Sequence, residues 1–338
     1  MSDEPHIISC TLFGLGDTRS DASVVVVPAP FDATTTYGTG TADGPNAILR
    51  ASTQVDLCDH RLGEVHRRGL SMEQEDPEVR VSSRRARALA TPILERAQAL
   101  PEEADTVAEI DDLCESVNRR IAARVREILD EGKTPAVLGG EHSVSFGAIQ
   151  SVAEQFGEIG VLQIDAHMDL RRAYTGLTWS HASVMYNALE RISGITKLIQ
   201  VGIRDYDVGE RAYAESLRGR VTTWYDDDLF DASDGGRRQL FSRVLDGLPP
   251  QLYITFDIDG LDAMLCPNTG TPVPGGLSFR EVSLLLGMIS EAVRAGRTRV
   301  VGFDLVEVCP GVGEWDANVG ARVLYKLCGL TGGADSGS

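Results

Sequence analysis

Short runs of apolar, β-branched residues recur along the chain, separated by longer segments of mixed polarity. The strand candidates are SVVVVPA (23–29), TPAVLGG (134–140), IGVLQIDA (159–166), KLIQVGI (197–203), RVTTWY (220–225), QLYITFD (251–257) and TRVVGFD (298–304). Helical candidates lie near 106–131, 144–156, 181–192, 236–247, 278–295 and 318–328. Strands that are apolar throughout, rather than alternating, belong to sheets covered on both faces, and their alternation with helices predicts an α/β fold with a parallel sheet. No repeat of fixed period and no Pro- or Gly/Ser-rich linker breaks the pattern, so one domain is expected over 1–330. The stretch from about 71 to 116, Arg-rich and then acidic, reads as a solvated helical excursion, and TGGADSGS (331–338) as a disordered tail.

Four of the apolar runs end in polar residues of similar character. They are followed by Gly139-Gly140-Glu141-His142, by Asp165, His167 and Asp169, by Asp257 and Asp259, and by Glu307. Asp165, His167 and Asp169 alternate with Ala166 and Met168, so an extended chain would point all three to one side. In open parallel sheets, functional groups collect beyond the carboxyl ends of the strands. Each motif alone is commonplace: a DxH or DxD is usually a turn or cap, His142 a satisfied core histidine, Glu307 a buried structural acid. It is the repetition after four strands that carries weight. Two imidazoles (His142, His167) and four carboxylates (Asp165, Asp169, Asp257, Asp259) gathered in one crevice would repel and partly protonate unless cations were present. Oxygen-rich ligation with a little nitrogen favours a harder ion such as Mn²⁺ over sulfur-built zinc sites. Paired ions about 3.5–4 Å apart can activate water at neutral pH. A two-metal phosphoesterase fits poorly, because the six histidines stand at 6, 60, 66, 142, 167 and 181, with none later in the chain.

Composition narrows the setting. The 338 residues are 42% hydrophobic and 24% charged, ample for a large core. No apolar run approaches the roughly 18 residues of a membrane span, and MSDEPHIISC lacks the basic-then-apolar order of a secretory signal. Cys10, Cys58, Cys114, Cys266, Cys309 and Cys328 include no CxxC pair, so buried or incidental thiols and a cytoplasmic location are expected. Fifty acidic against 32 basic residues give a net charge of −18, which repels nucleic acid and anionic membrane at long range. A plain acidic surface and adaptation to high salt both fit that charge.

With these residues assembled, the chain resembles the ureohydrolase family of arginases, agmatinases and their relatives. GGEHS (139–143), DAHMD (165–169), TFDIDGLD (255–262), TGTPVPGGL (269–277) and VVGFDLVEVCP (300–310) carry the resemblance, which runs from Pro28 to about Leu330. It implies a three-layer α/β/α sandwich with a mainly parallel sheet, two Mn²⁺ per subunit (Ni²⁺, Fe²⁺ and Zn²⁺ being the alternatives) and a homo-oligomer, trimer or hexamer. It also implies ligand sets: His142, Asp165, Asp169 and Asp257 for one ion, His167, Asp165, Asp257 and Asp259 for the other. His181, in WSHAS, stands where the family places a proton-shuttling histidine. Glu307 would orient a guanidinium, and Asp169 would take a proton from the attacking oxygen. The implied activity is agmatinase-like, releasing urea and an amine from a small guanidino compound. Arginase, guanidinobutyrase and formimidoylglutamase are the alternatives within the class; a zinc deacylase of similar fold is disfavoured by the additional His142 and Asp259, and a catalytically silent metal-binding protein by the complete ligand set. The chain departs from the family pattern in having Glu141 for a usual Asp, Ala263 for a usual Pro, and Asp169-Leu170-Arg171 after the second motif. Arg171 either faces the ligand side, where it would attract a carboxylated substrate, or is turned by its loop toward a surface acid.

Overall fold

A computed structural model of the chain describes residues 11–231 and 236–332. His6, Cys10 and positions 333–338 of the expected tail lie outside the described residues. Eight strands form one sheet: β1 (Val24–Ala29), β2 (Leu70–Met72), β3 (Thr134–Gly139), β4 (Ile159–Ile164), β5 (Ile195–Ile203), β6 (Val221–Tyr225), β7 (Gln251–Asp257) and β8 (Arg299–Val306). Their order is β2-β1-β3-β8-β7-β4-β5-β6, and every neighbouring pair is parallel. The helices are α1 (Gly44–Ser52), α2 (Pro77–Arg96), α3 (Ala104–Asp130), α4 (Ser145–Phe156), α5 (Val184–Arg191), α6 (Val208–Ser216), α7 (Asp226–Asp231), α8 (Arg237–Val244), α9 (Phe279–Arg294) and α10 (Trp315–Cys328).

All seven expected strands are present, and all but the half-buried edge strand β6 are apolar for the expected reason. Val24 and Val26 of β1 face one core with residues of α1, α8, α9 and α10, while Val25 and Val27 face a second core with residues of α2, α3, α4 and α5. The sheet is therefore the middle layer of an α/β/α sandwich. Its eighth strand, β2, has only three residues at the sheet edge, too few to stand out as an apolar run. The expected excursion between 71 and 116 is helical but not fully solvated. Helix α2 buries Val79, Ala86, Ala90 and Ile93 against the core that also holds Ile110, Cys114 and Val117 of α3. Alanines give that face little hydrophobic contrast, and for that reason the period is faint in the sequence. Helix α6 was also not anticipated, although Asp207 and Glu210 form a capping box at its start.

At the other end of the chain, Thr331 is buried, so the packed chain reaches it. The described cysteines, Cys58, Cys114, Cys266, Cys309 and Cys328, are all free. Among the described residues no helix is long and apolar enough to cross a membrane.

The loop after β1 crosses the end of β3 at close quarters. Glu141 N donates to Phe31 O at 2.7 Å, and a Cβ on Gly140 would sit 2.0 Å from that same carbonyl oxygen. Because the obstacle is backbone, no rotamer relieves it. Gly140→Ala should cost about 1–3 kcal/mol, the usual range for overpacking, read as a lower denaturation midpoint; an unchanged midpoint would show that the two loops separate freely.

Candidate metal centre

The carboxyl ends of β3, β4, β7 and β8 are neighbours in the sheet, since the order places β3, β8, β7 and β4 side by side. The polar residues that follow them converge. His142 Nδ1 lies 3.1 Å from Asp165 Oδ2, 2.9 Å from Asp169 Oδ2 and 3.4 Å from Asp257 Oδ2. His167 Nδ1 lies 3.0 Å from Asp259 Oδ2 and 3.6 Å from Asp165 Oδ1. Two donor groups result, His142/Asp165/Asp169 and Asp165/His167/Asp259, each with its ligand atoms within 4.8 Å of one another. Asp165 belongs to both, one oxygen turned to each.

The segment that supplies three of these residues is not the continuous extended strand that alternation predicted. β4 stops at Ile164, and Asp169 adopts a left-handed φ of 54°. Its carbonyl is tied there by Met185 N and Tyr186 N, both at 3.1 Å. Glu307 has a φ of 61°, also costly for a residue with a side chain. Both strained residues lie at the centre.

The donor set fits divalent cations. His142 Nε2 faces Thr255 Oγ1 at 2.8 Å, and that hydroxyl donates to Asp304 Oδ1 at 2.8 Å. A hydroxyl that has given its hydrogen away can only accept, so His142 carries a proton on Nε2 and turns Nδ1 to the carboxylates. Nδ1 is buried, 2.9–3.4 Å from three of their oxygens. A cation displacing the proton held there would meet the Nδ1 lone pair and those oxygens together, which makes the place a cation cradle. Tyr253 OH completes the support by donating to Asp304 Oδ2 at 2.9 Å. On the other side, Gln163 Nε2 donates to Asp165 Oδ2 at 2.8 Å, and Gln200 Nε2 donates to Gln163 Oε1 at 2.8 Å.

Electrostatics agree. Burial opposes charge on His142 and His167, yet the surrounding aspartates outweigh it and hold both well above the ordinary histidine value. Burial, then the charge of Asp165, pushes Asp169 up to about 7, and burial with Asp259 and Asp165 raises Asp257 strongly. The protein alone must keep protons in this cluster; bound cations would displace them.

Glu307 and His181 stand beside the donors. His142 N donates to Glu307 Oε1 at 2.8 Å, while the buried Glu307 Oε2 has no hydrogen-bond partner among the described residues. His181 is buried at the start of the turn leading into α5, its ring 6.0 Å edge-on from Tyr174, and burial lowers it to about 3. A cavity of about 270 Å³ opens over the cluster, lined among others by His167, Asp169, His181, Arg171, Tyr174 and Asp205. Arg171 is turned onto an acid: its Nε lies 3.4 Å from Glu210 Oε2, and its guanidinium stacks 4.6 Å above Tyr174. The supporting residues Thr34, Gln163, Gln200, Thr255 and Asp304 were not anticipated. The last four were visible as polar interruptions of apolar strands.

Fold and donor set together define a carboxylate-rich hydrolase centre at the strand ends of a parallel sheet. A family model described as Arginase family matches residues 22–329, and the chain belongs to that family, as an enzyme of the ureohydrolase class. It is 34% identical over 329 residues to the N(1)-aminopropylagmatine ureohydrolase of Thermus thermophilus, covering 95% of this chain and 94% of that protein. It is 29% identical over 251 residues to the arginase of Bacillus caldovelox, covering 69% and 80%. In structure it resembles the agmatine ureohydrolase of Thermoplasma volcanium with a TM-score of 0.70 at 23% identity, over 96% of this chain and 93% of that one.

If the cluster holds cations, the folded state is stabilised by them through linkage, by about 2.7 kcal/mol at a free metal concentration one hundred times the Kd. Complete chelation should therefore lower the melting temperature by several degrees. No shift on verified removal would mean that the carboxylates are accommodated without metal.

Proposed function

We propose that this chain is a binuclear manganese amidinohydrolase, agmatinase-like, that releases urea and a primary amine from a small guanidino compound. The observation that carries this reading is Asp165, whose two oxygens belong to two adjacent donor groups. His142, Asp165, Asp169 and Asp257 would hold one ion, and His167, Asp165, Asp257 and Asp259 the other. Bound there, the pair would supply a nucleophile from water at neutral pH.

The protein's own part is to bind and orient. A guanidinium is planar, cationic and resonance-stabilised, so it must be held with its carbon facing the attacking oxygen. The free Oε2 of Glu307 is a ready acceptor for its N–H groups. Asp169 takes the proton from the attacking oxygen, and His181 exchanges protons between the leaving amine and solvent. The C–N bond breaks as the amine nitrogen is protonated, which leaves urea and the amine.

Charge at the cavity favours a cationic tail. Glu210 neutralises Arg171, and Asp205 contributes a carboxylate that is 69% exposed and lies 3.9 Å from His167 Nε2. A carboxylated substrate would meet no free cation among the described lining residues, so arginase, guanidinobutyrase and formimidoylglutamase are the weaker readings. The ureohydrolase relatives named for aminopropylagmatine agree with a polyamine-like substrate. We place the enzyme in a reducing cytoplasm, as one catalytic domain over 1–330 in a trimer or hexamer.

Hydrolysis, read as urea from guanidino substrates and as formamide from formimino ones, should be fastest with agmatine or its aminopropyl derivative. Asp205→Asn should raise KM for those cations by roughly 2–5-fold, the weight of one exposed ion pair, and Arg171→Ala should leave the substrate ranking unchanged. A selective loss on carboxylated substrates in Arg171→Ala would overturn the assignment. Asp257→Ala should lose metal and turnover together. His181→Ala should keep its metal while turnover falls by roughly 10²–10⁴, and metal analysis beside kinetics separates the two.

A further inference from the structure

Glu141 is the residue that departs from the pattern of its motif, and the proposed chemistry leaves it without a role. It is fully buried, and three donors converge on its carboxylate. Thr34 N donates to Oε2 at 2.6 Å, Thr34 Oγ1 donates to Oε1 at 2.8 Å, and Ser143 Oγ donates to Oε1 at 2.5 Å. Thr34, also fully buried, sits in the loop after β1 and reaches in the other direction as well. Its Oγ1 accepts from His181 N at 3.0 Å and lies 3.2 Å from His181 Nδ1.

A threonine hydroxyl has a single hydrogen. Donated to Glu141, it leaves Thr34 Oγ1 able only to accept, and the contact with His181 must then be made by an Nδ1–H. Ser180 Oγ, 3.3 Å from the same nitrogen, accepts from Ala182 N at 3.3 Å and keeps both a hydrogen and a lone pair, so it adapts to either tautomer and leaves the choice to Thr34. Nε2 makes no hydrogen bond to the protein among the described residues, and His181 lines the cavity. We propose that Glu141 and Thr34 form a positioning pair that fixes neutral His181 as its Nδ1–H tautomer, with the Nε2 lone pair free to exchange protons in the cavity.

Hydrogen-bond direction is the whole device: Glu141, on which one backbone N–H and two hydroxyls converge, sets the Thr34 hydroxyl, and that hydroxyl sets the imidazole. An amide at position 141 could donate instead, which would turn the hydroxyl round and favour the Nε2–H form. The larger reach of glutamate is matched here by a threonine that meets it with both backbone N–H and hydroxyl. The importance of the tautomer for turnover rests on the proton-exchange reading of His181; the tautomer itself does not.

The test is ¹⁵N NMR of histidine-labelled full-length protein loaded with Zn²⁺, a closed-shell ion, with His181 assigned by its loss in His181→Gln. The expected signals are a protonated Nδ1 and an unprotonated Nε2. Thr34→Val, which removes the hydroxyl at nearly constant volume, should give mixed tautomers and reduce kcat by roughly 10–100-fold, the range for outer partners of a functional histidine. KM and metal content should be retained, and Thr34→Ser should restore kcat. Glu141→Gln should move His181 toward Nε2–H. An Nε2–H form in the unaltered protein, or a tautomer indifferent to both Thr34→Val and Glu141→Gln, overturns the proposal. Full turnover in His181→Ala would instead overturn the proton-exchange reading while the tautomer result stood.

Discussion

Burying several carboxylates together is among the more costly things a fold can do, because each ionised group loses water and gains like-charged neighbours. Here Asp165, Asp169, Asp257 and Asp259 are all buried within reach of two imidazoles. Left to itself, the cluster resolves the conflict with protons, holding Asp257 and both histidines far above their ordinary values. Divalent cations would resolve it with fewer particles. Much else in the molecule serves to keep these groups where they would not otherwise stay.

The sheet does this in two ways. Its parallel order sets four strand ends beside one another, so residues far apart in sequence meet without long connections. Its interior then carries polar side chains that hold the donors from behind. Thr255 and Asp304 on β7 and β8 fix the protonation of His142, while Gln163 and Gln200 on β4 and β5 steady Asp165. Every one of these supports is fully buried and hydrogen-bonded, as a group in such a place must be. Left-handed turns at Asp169 and Glu307 add strain that the surrounding bonds sustain.

The sequence made some of this plain and concealed the rest for physical reasons. Six strands were legible because burial on both faces demands continuous apolar runs, the half-buried β6 by its β-branched and aromatic residues, and the donors because carboxylates and histidines follow those runs directly. The three-residue β2 left no such run, and the alanines of α2 blurred its buried face. Alternation in DAHMD suggested one extended face, but the left-handed turn at Asp169, stabilised from α5, cannot be read from spacing. The fate of Arg171 was decided by Glu210, and the role of Thr34 by Glu141, in each case a partner supplied by a distant element. Such pairings exist only once the chain has folded.

The central claim is that two cations sit on either side of Asp165. Crystals of the metal-loaded chain, measured at the manganese absorption edge, test it directly by anomalous scattering. The account predicts two peaks per chain about 3.5–4 Å apart, one beside His142 and Asp169 and the other beside His167 and Asp259. A single peak at full occupancy, or none, would contradict it.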